Sequence, residues 1–183
     1  MPFVFSQLEL PGLTLVEPKV FPDQRGFFLE SYSLKSFREQ GIPSFVQDNH
    51  SRSQRGVVRG LHYQKEPYAQ GKLVRVLQGE IYDVALDLRR NSPSFGKWLG
   101  VYLSSENFKM LYLPPGFAHG FCVTSESADV FYKVTADYAP SLEGGIRFDD
   151  PELAIPWPVK EPLLSPKDRD YPGFREADFD FSF

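Results

Sequence analysis

Along most of the chain, apolar and polar residues alternate with a period of two, the pattern of strands that bury one face. The longest such runs are Lys72-Leu73-Val74-Arg75-Val76-Leu77 and Ile81-Tyr82-Asp83-Val84-Ala85-Leu86-Asp87-Leu88, and Gly79 between them reads as a hairpin turn. Trp98 to Leu103, Met110 to Leu113, Phe121 to Thr124 and Asp129 to Thr135 predict further strands, with Ser, Glu, Pro or Gly between them. One helix is predicted: Ser33 caps Leu34 to Gln40, Leu34 and Phe37 share a face, and Gly41 stops it. Short strands at regular intervals with little helix predict an all-β sandwich or barrel, for which the jelly roll is a common solution. No repeat or linker interrupts the pattern, so residues 1–183 read as one domain. The segment from about Pro156, rich in Pro, Asp and aromatics, is expected to wrap the barrel. The terminal Phe179-Asp180-Phe181-Ser182-Phe183 should dock on an apolar surface.

Composition narrows the function classes. A length of 183 residues is enough to close a core, and 42% hydrophobic with 24% charged residues is ordinary for a globular protein. No apolar run is long enough to span a bilayer, and Met-Pro-Phe-Val-Phe-Ser lacks the basic start and apolar stretch of a signal peptide, so the cytoplasm is the expected location. A net charge of −4 without a long basic run argues against binding nucleic-acid polymers, while a few local Arg and Lys suffice for one diphosphate. The single cysteine, Cys122, excludes an internal disulfide and reads as a buried, inert thiol in Gly-Phe-Cys-Val-Thr.

Candidate chemistry centres on three histidines, His50, His62 and His119. Pro115-Gly116-Phe117-Ala118-His119 has the look of a bend that delivers a histidine into a barrel mouth. A metal site would require about three imidazoles, or two and a carboxylate, converging on one point. Gln64 stands where a second histidine two residues after His62 would be needed, so metal binding is disfavoured. Alternation places Tyr132 on the inward face with Val130 and Val134, and Lys72 with Val74 and Val76. A buried phenol most often only bonds a neighbour, and a lysine at a strand start often reaches solvent; an inward ammonium is a candidate for function because leaving it unpaired is costly. Arg59 falls on the face opposite His62 unless Gly60 allows a bulge.

The runs Arg25-Gly26-Phe27-Phe28-Leu29-Glu30, Val46-Gln47-Asp48-Asn49-His50-Ser51, Arg59-Gly60-Leu61-His62-Tyr63-Gln64 and Gly71-Lys72-Leu73-Val74-Arg75-Val76 occur in order. Phe95-Gly96-Lys97-Trp98, Pro115-Gly116-Phe117-Ala118-His119-Gly120-Phe121 and Leu164-Ser165-Pro166-Lys167-Asp168 follow them. In order and spacing this set resembles the dTDP-4-dehydrorhamnose 3,5-epimerase family. The resemblance implies a cupin-like jelly-roll barrel with a few short helices, a homodimer that exchanges N-terminal strands, and neither metal nor organic cofactor. It implies dTDP-4-keto-6-deoxyglucose as substrate, inverted at C3 and C5 on the way to dTDP-L-rhamnose. His62 matches the family's base, Asp168 its orienting carboxylate, Tyr132 the opposing acid and Lys72 the cation beside the 4-keto oxygen. Arg25, Glu30, Gln47, Asn49, Arg59 and His119 match positions that hold sugar and diphosphate, and strand exchange would let Arg25 and Glu30 serve either their own site or the neighbouring subunit's. Tyr138 matches a thymine-stacking position, and Glu143 and Lys167 match outer nucleotide contacts. The chain departs from the commoner pattern at Lys133 to Tyr138 and at Glu143-Gly144-Gly145, both in the nucleotide region. An epimerase acting at one carbon, a metal-dependent cupin and a non-catalytic sugar-binding barrel are the alternative readings.

Overall fold

The computed structural model describes residues 2–183. In chain order it contains β1 (Phe3–Gln7), β2 (Thr14–Pro18), β3 (Val20–Asp23), β4 (Gly26–Leu29), α1 (Leu34–Arg38), β5 (Gln47–Gln54), β6 (Val58–Gln64) and β7 (Lys72–Gln78). Then follow β8 (Glu80–Asp87), β9 (Trp98–Ser104), β10 (Met110–Leu113), β11 (Phe117–Val123), β12 (Ser127–Val134), β13 (Glu143–Gly145) and α2 (Pro166–Asp170). One sheet has the order β1-β2-β10-β7-β12-β5, the second β13-β6-β11-β8-β9, and β3 with β4 forms a separate hairpin. All of these pairings are antiparallel.

Alternation explains how the two large sheets close on each other. Val74, Val76, Leu111 and Val130 of the first sheet pack against Ile81, Ala85, Phe121 and Val123 of the second, all buried. Each such side chain removed from water contributes about 1.5–3 kcal/mol, and together they make the interior of an all-β, cupin-like jelly roll. The residues of opposite parity fill two outer layers. Leu61, Tyr63, Val84 and Leu86 lie beneath Ile155, Phe174, Phe179 and Phe181 of the C-terminal segment. Leu73, Met110 and Tyr112 lie with Phe3 and Phe37 of the N-terminal elements. The aromatic terminus is thereby explained: Phe179 and Phe181 are buried, and Phe183 meets the Arg89 guanidinium.

Three expectations change. Gly79 does not turn a hairpin, because β7 pairs with β10 and β12 while β8 pairs with β9 and β11. It carries the chain between sheets at φ +79°, where a Cβ would lie 2.1 Å from the Ser127 carbonyl oxygen. The strand expected at Phe121 begins at Phe117, since ladder pairing with β8 already starts at Phe117 opposite Asp87. The helix ends at Arg38; Ser33 caps it by accepting from the Ser36 N–H, and Phe37 is buried, but Leu34 faces solvent.

Candidate active site

On β6, Leu61 and Tyr63 point outward, and His62 and Gln64 point into the barrel. Strict alternation would send Arg59 outward. Instead the pairing with β11 sets His119 opposite His62 and Phe121 opposite Arg59, so β6 uses one residue more than β11. This bulge falls at Gly60, at φ +115°, where a Cβ would lie 2.5 Å from Gly120 Cα. Arg59 and His62 therefore open on the same cavity, of ≈ 360 Å³.

The His62 Nε2 lies 2.6 Å from Asp168 Oδ1. Asp168 sits in the first turn of α2; it also accepts from the Ser165 hydroxyl at 2.6 Å and from the Gly60 N–H at 3.2 Å. Burial pushes its carboxyl up, but these hydrogen bonds and the nearby imidazole outweigh it and hold the carboxyl below its ordinary value. An ionised Asp168 accepts the Nε2 proton and leaves the Nδ1 lone pair of a neutral His62 free to take a proton.

Lys72 and Tyr132 line the same cavity from β7 and β12, as alternation predicts. Burial pulls the Lys72 ammonium down to about 8, opposed first by the charge of Asp83 and then by that of Glu143. Its Nζ donates to the His62 carbonyl at 3.5 Å. Burial pushes the Tyr132 phenol up, against the pull of Arg59 and with Glu143 adding to it, so the phenol keeps its proton at neutral pH. The cavity thus brings together an oriented imidazole, a protonated phenol and a cation.

Gln47, Asn49 and Ser51 project into the cavity from alternate positions of β5, whereas His50 takes the other face. Gln47 donates to Asn49 and accepts from the Tyr138 N–H, and the Tyr138 hydroxyl donates to Glu143 Oε2 at 2.6 Å. Lys167, with Arg59, His62 and Asp168, lines an adjoining cleft, and its Nζ bonds Glu143. Gln64, in the place of the missing box histidine, donates to the Asp137 carbonyl and accepts from the Ala139 N–H. Arg25 and Glu30 lie outside this cavity: Arg25 is exposed on the β3–β4 hairpin, bound to Asp23 at 2.6 Å.

Sequence reading passed over three groups. Asp83, fully buried, bonds His119 Nε2 at 2.8 Å through Oδ2; its signal was an acidic residue on the inward parity between Ile81 and Ala85. Ser51 Oγ and the Tyr171 hydroxyl are buried without a partner, and the Tyr171 ring stands edge-on to the His62 imidazole. No local pattern marks these two.

The profile of the dTDP-4-dehydrorhamnose 3,5-epimerase family matches residues 7–176. The chain belongs to that family. Proteins named dTDP-4-dehydrorhamnose 3,5-epimerase from Pseudomonas aeruginosa and Shigella flexneri are 56% and 54% identical to it. The first match covers 94% of this chain and 97% of that protein, the second 93% and 96%. The crystal structure of a dTDP-6-deoxy-D-glucose-3,5-epimerase from Legionella pneumophila, in complex with dTDP-4-keto-L-rhamnose, superimposes with a TM-score of 0.93. It is 50% identical and covers 96% of this chain and 95% of its own.

Proposed function

We propose that the chain, acting as one jelly-roll domain in the cytoplasm, epimerises dTDP-4-keto-6-deoxyglucose at C3 and C5 in dTDP-L-rhamnose biosynthesis, with His62 as base and Tyr132 as acid. The observation that carries the reading is the His62–Asp168 pair in one cavity with Lys72 and Tyr132, in a chain of the 3,5-epimerase family.

The 4-keto group acidifies the C–H bonds on both neighbouring carbons. His62 Nδ1 takes the proton from one face, the bonding pair moves into an enolate, and negative charge collects on O4. The Lys72 ammonium stabilises that oxygen, a kind of contribution worth about 3–4 kcal/mol per preorganised donor. Tyr132 returns a proton to the opposite face, inverting the carbon; His62 then releases its proton to water and Tyr132 regains one, and the reset pair repeats the steps at the second α-carbon. Arg59 has the fork geometry for the diphosphate, and Gln47, Asn49 and His119 for sugar hydroxyls. Tyr138, Glu143 and Lys167 form the nucleotide end. Arg25 and Glu30, which lie away from their own cavity, complete a second protomer's site in a homodimer with exchanged N-terminal strands.

Proton NMR of the keto sugar in D2O tests the proposal. Both the C3 and the C5 proton signals should disappear. Loss at one carbon would make the chain a single-carbon epimerase, and no exchange at either would overturn the reading.

A further inference from the structure

His62 and His119 are cross-strand partners on β6 and β11, and each ties its Nε2 to a buried carboxylate. The two carboxylates differ in one respect. Asp168 has both oxygens bonded, by His62 and Gly60 on one and by Ser165 on the other. Asp83 has no exposed surface, bonds His119 through Oδ2, and leaves Oδ1 without a partner. A buried carboxylate with an open oxygen calls for an explanation, and a nearby cation that offsets its desolvation is one. Lys72 lines the cavity together with His119, the ring that Asp83 bonds, while Arg59 of the same cavity is already bonded to Ser53. The Asp83 charge opposes the effect of burial on the Lys72 ammonium.

We infer that Asp83 is a positioning residue for the proposed epimerisation: it is the counter-ion that keeps Lys72 charged in the cavity, and through the same carboxylate it fixes the ring of His119. The inference rests on the epimerase reading for its catalytic meaning but not for its physical content. Lys72 must hold its proton to stabilise charge on O4, and burial alone works against that. Glu143 of β13 is the other acid supporting it; Arg59 and His62 of β6, His119 of β11 and Tyr132 of β12 complete the polar groups around the cavity. Of these, Asp83 alone is a fully buried acid.

The test has two readouts. In protein with 13C-methylated lysines, the NMR titration midpoint of Lys72 should fall in Asp83→Asn by roughly one to three pH units, the usual effect of a close opposite charge. Asp83→Glu should restore most of it. In the exchange assay, Asp83→Asn should move the alkaline limb of the rate profile to lower pH and reduce kcat more than it raises KM. A merely structural Asp83 would lower activity evenly across pH and leave the Lys72 midpoint in place, which would overturn the inference. If the wild type shows no exchange, the epimerase reading fails while the Lys72 titration still decides the counter-ion role. Should Asp83→Asn not fold, Asp83→Ser takes its place in the same Lys72 titration, and an unmoved Lys72 midpoint there would overturn the inference.

Discussion

Single side chains in the cavity do work that their neighbours define. In the proposed mechanism His62 serves as base because Asp168 holds its Nε2, and Asp168 stays ionised because Ser165 and Gly60 help His62 outweigh its burial. His62→Ala should therefore lower exchange at both carbons together, by about 10²–10⁴-fold for loss of a positioned base. Tyr132→Phe should spare abstraction and impair inversion, so that C–H exchange outlasts product formation in the same NMR assay. Equal losses in both variants at every step would refute the division of roles. Asp87 makes a parallel argument for stability. Burial pushes its carboxyl up, but bonds from Arg89, Ser92 and Ser94 outweigh that and hold it below its ordinary 3.8. A carboxyl depressed in the folded state adds stability above its unfolded value and loses it as pH falls through the folded one. Asp168 carries the same sign. Tm should accordingly drop on acidification below about pH 4, less steeply in Asp87→Asn, and Asp87→Ala should cost about 3–5 kcal/mol by leaving Arg89 unpaired. Thermal melts at a series of pH values would show whether the slope flattens.

At the scale of elements, the sequence was legible where alternation is unbroken and opaque where one residue interrupts it. Tyr132 and Lys72 face inward as their apolar neighbours Val130, Val134, Val74 and Val76 require. Arg59 could not be placed from sequence, because the extra residue at Gly60 is visible only against β11. Gly79 misleads for a related reason: its positive φ is a local property, whereas the strand that β7 pairs with is set by distant residues. Ser51, Tyr171 and Asp83 were missed because what distinguishes them is a contact made, or left unmade, across elements far apart in sequence. Gly60 turns this into a prediction. A Cβ there would collide with the β11 backbone and disturb the N–H that Asp168 accepts. Gly60→Ala should destabilise by about 1–3 kcal/mol from overpacking. It should also reduce activity beyond what the lost stability explains, because it displaces Arg59 and His62 from each other. A variant with normal turnover at a lowered Tm would show that the bulge serves packing alone.

For the molecule as a whole, the β3–β4 hairpin bears on how many chains complete one site. Phe21, Phe27 and Phe28 stand 47%, 59% and 69% exposed on and around the β3–β4 hairpin, which belongs to neither large sheet. Phe21 pairs with Phe28 on one face of this small hairpin and Phe27 meets Phe108 on the other, so both faces expose apolar surface that water does not favour. Beside them Arg25 reaches no part of its own chain's cavity. A two-fold dimer in which each hairpin crosses to the partner accounts for both facts, since an isologous contact buries the same patch on both chains. Phe28→Glu should then yield monomers by sedimentation and lower activity although the residue lies outside the cavity. Mixing inactive chains gives the sharper test. His62→Ala lacks the base, and Arg25→Ala lacks the group it would lend its partner. In a mixed dimer with exchanged hairpins, the site on the Arg25→Ala chain has its own His62 and receives Arg25 from the other. Equal mixing with free reassociation should recover about a quarter of wild-type activity, because half the dimers are mixed and each has one intact site of two. If Arg25 instead serves its own chain, every site in every dimer carries a defect and mixing recovers nothing.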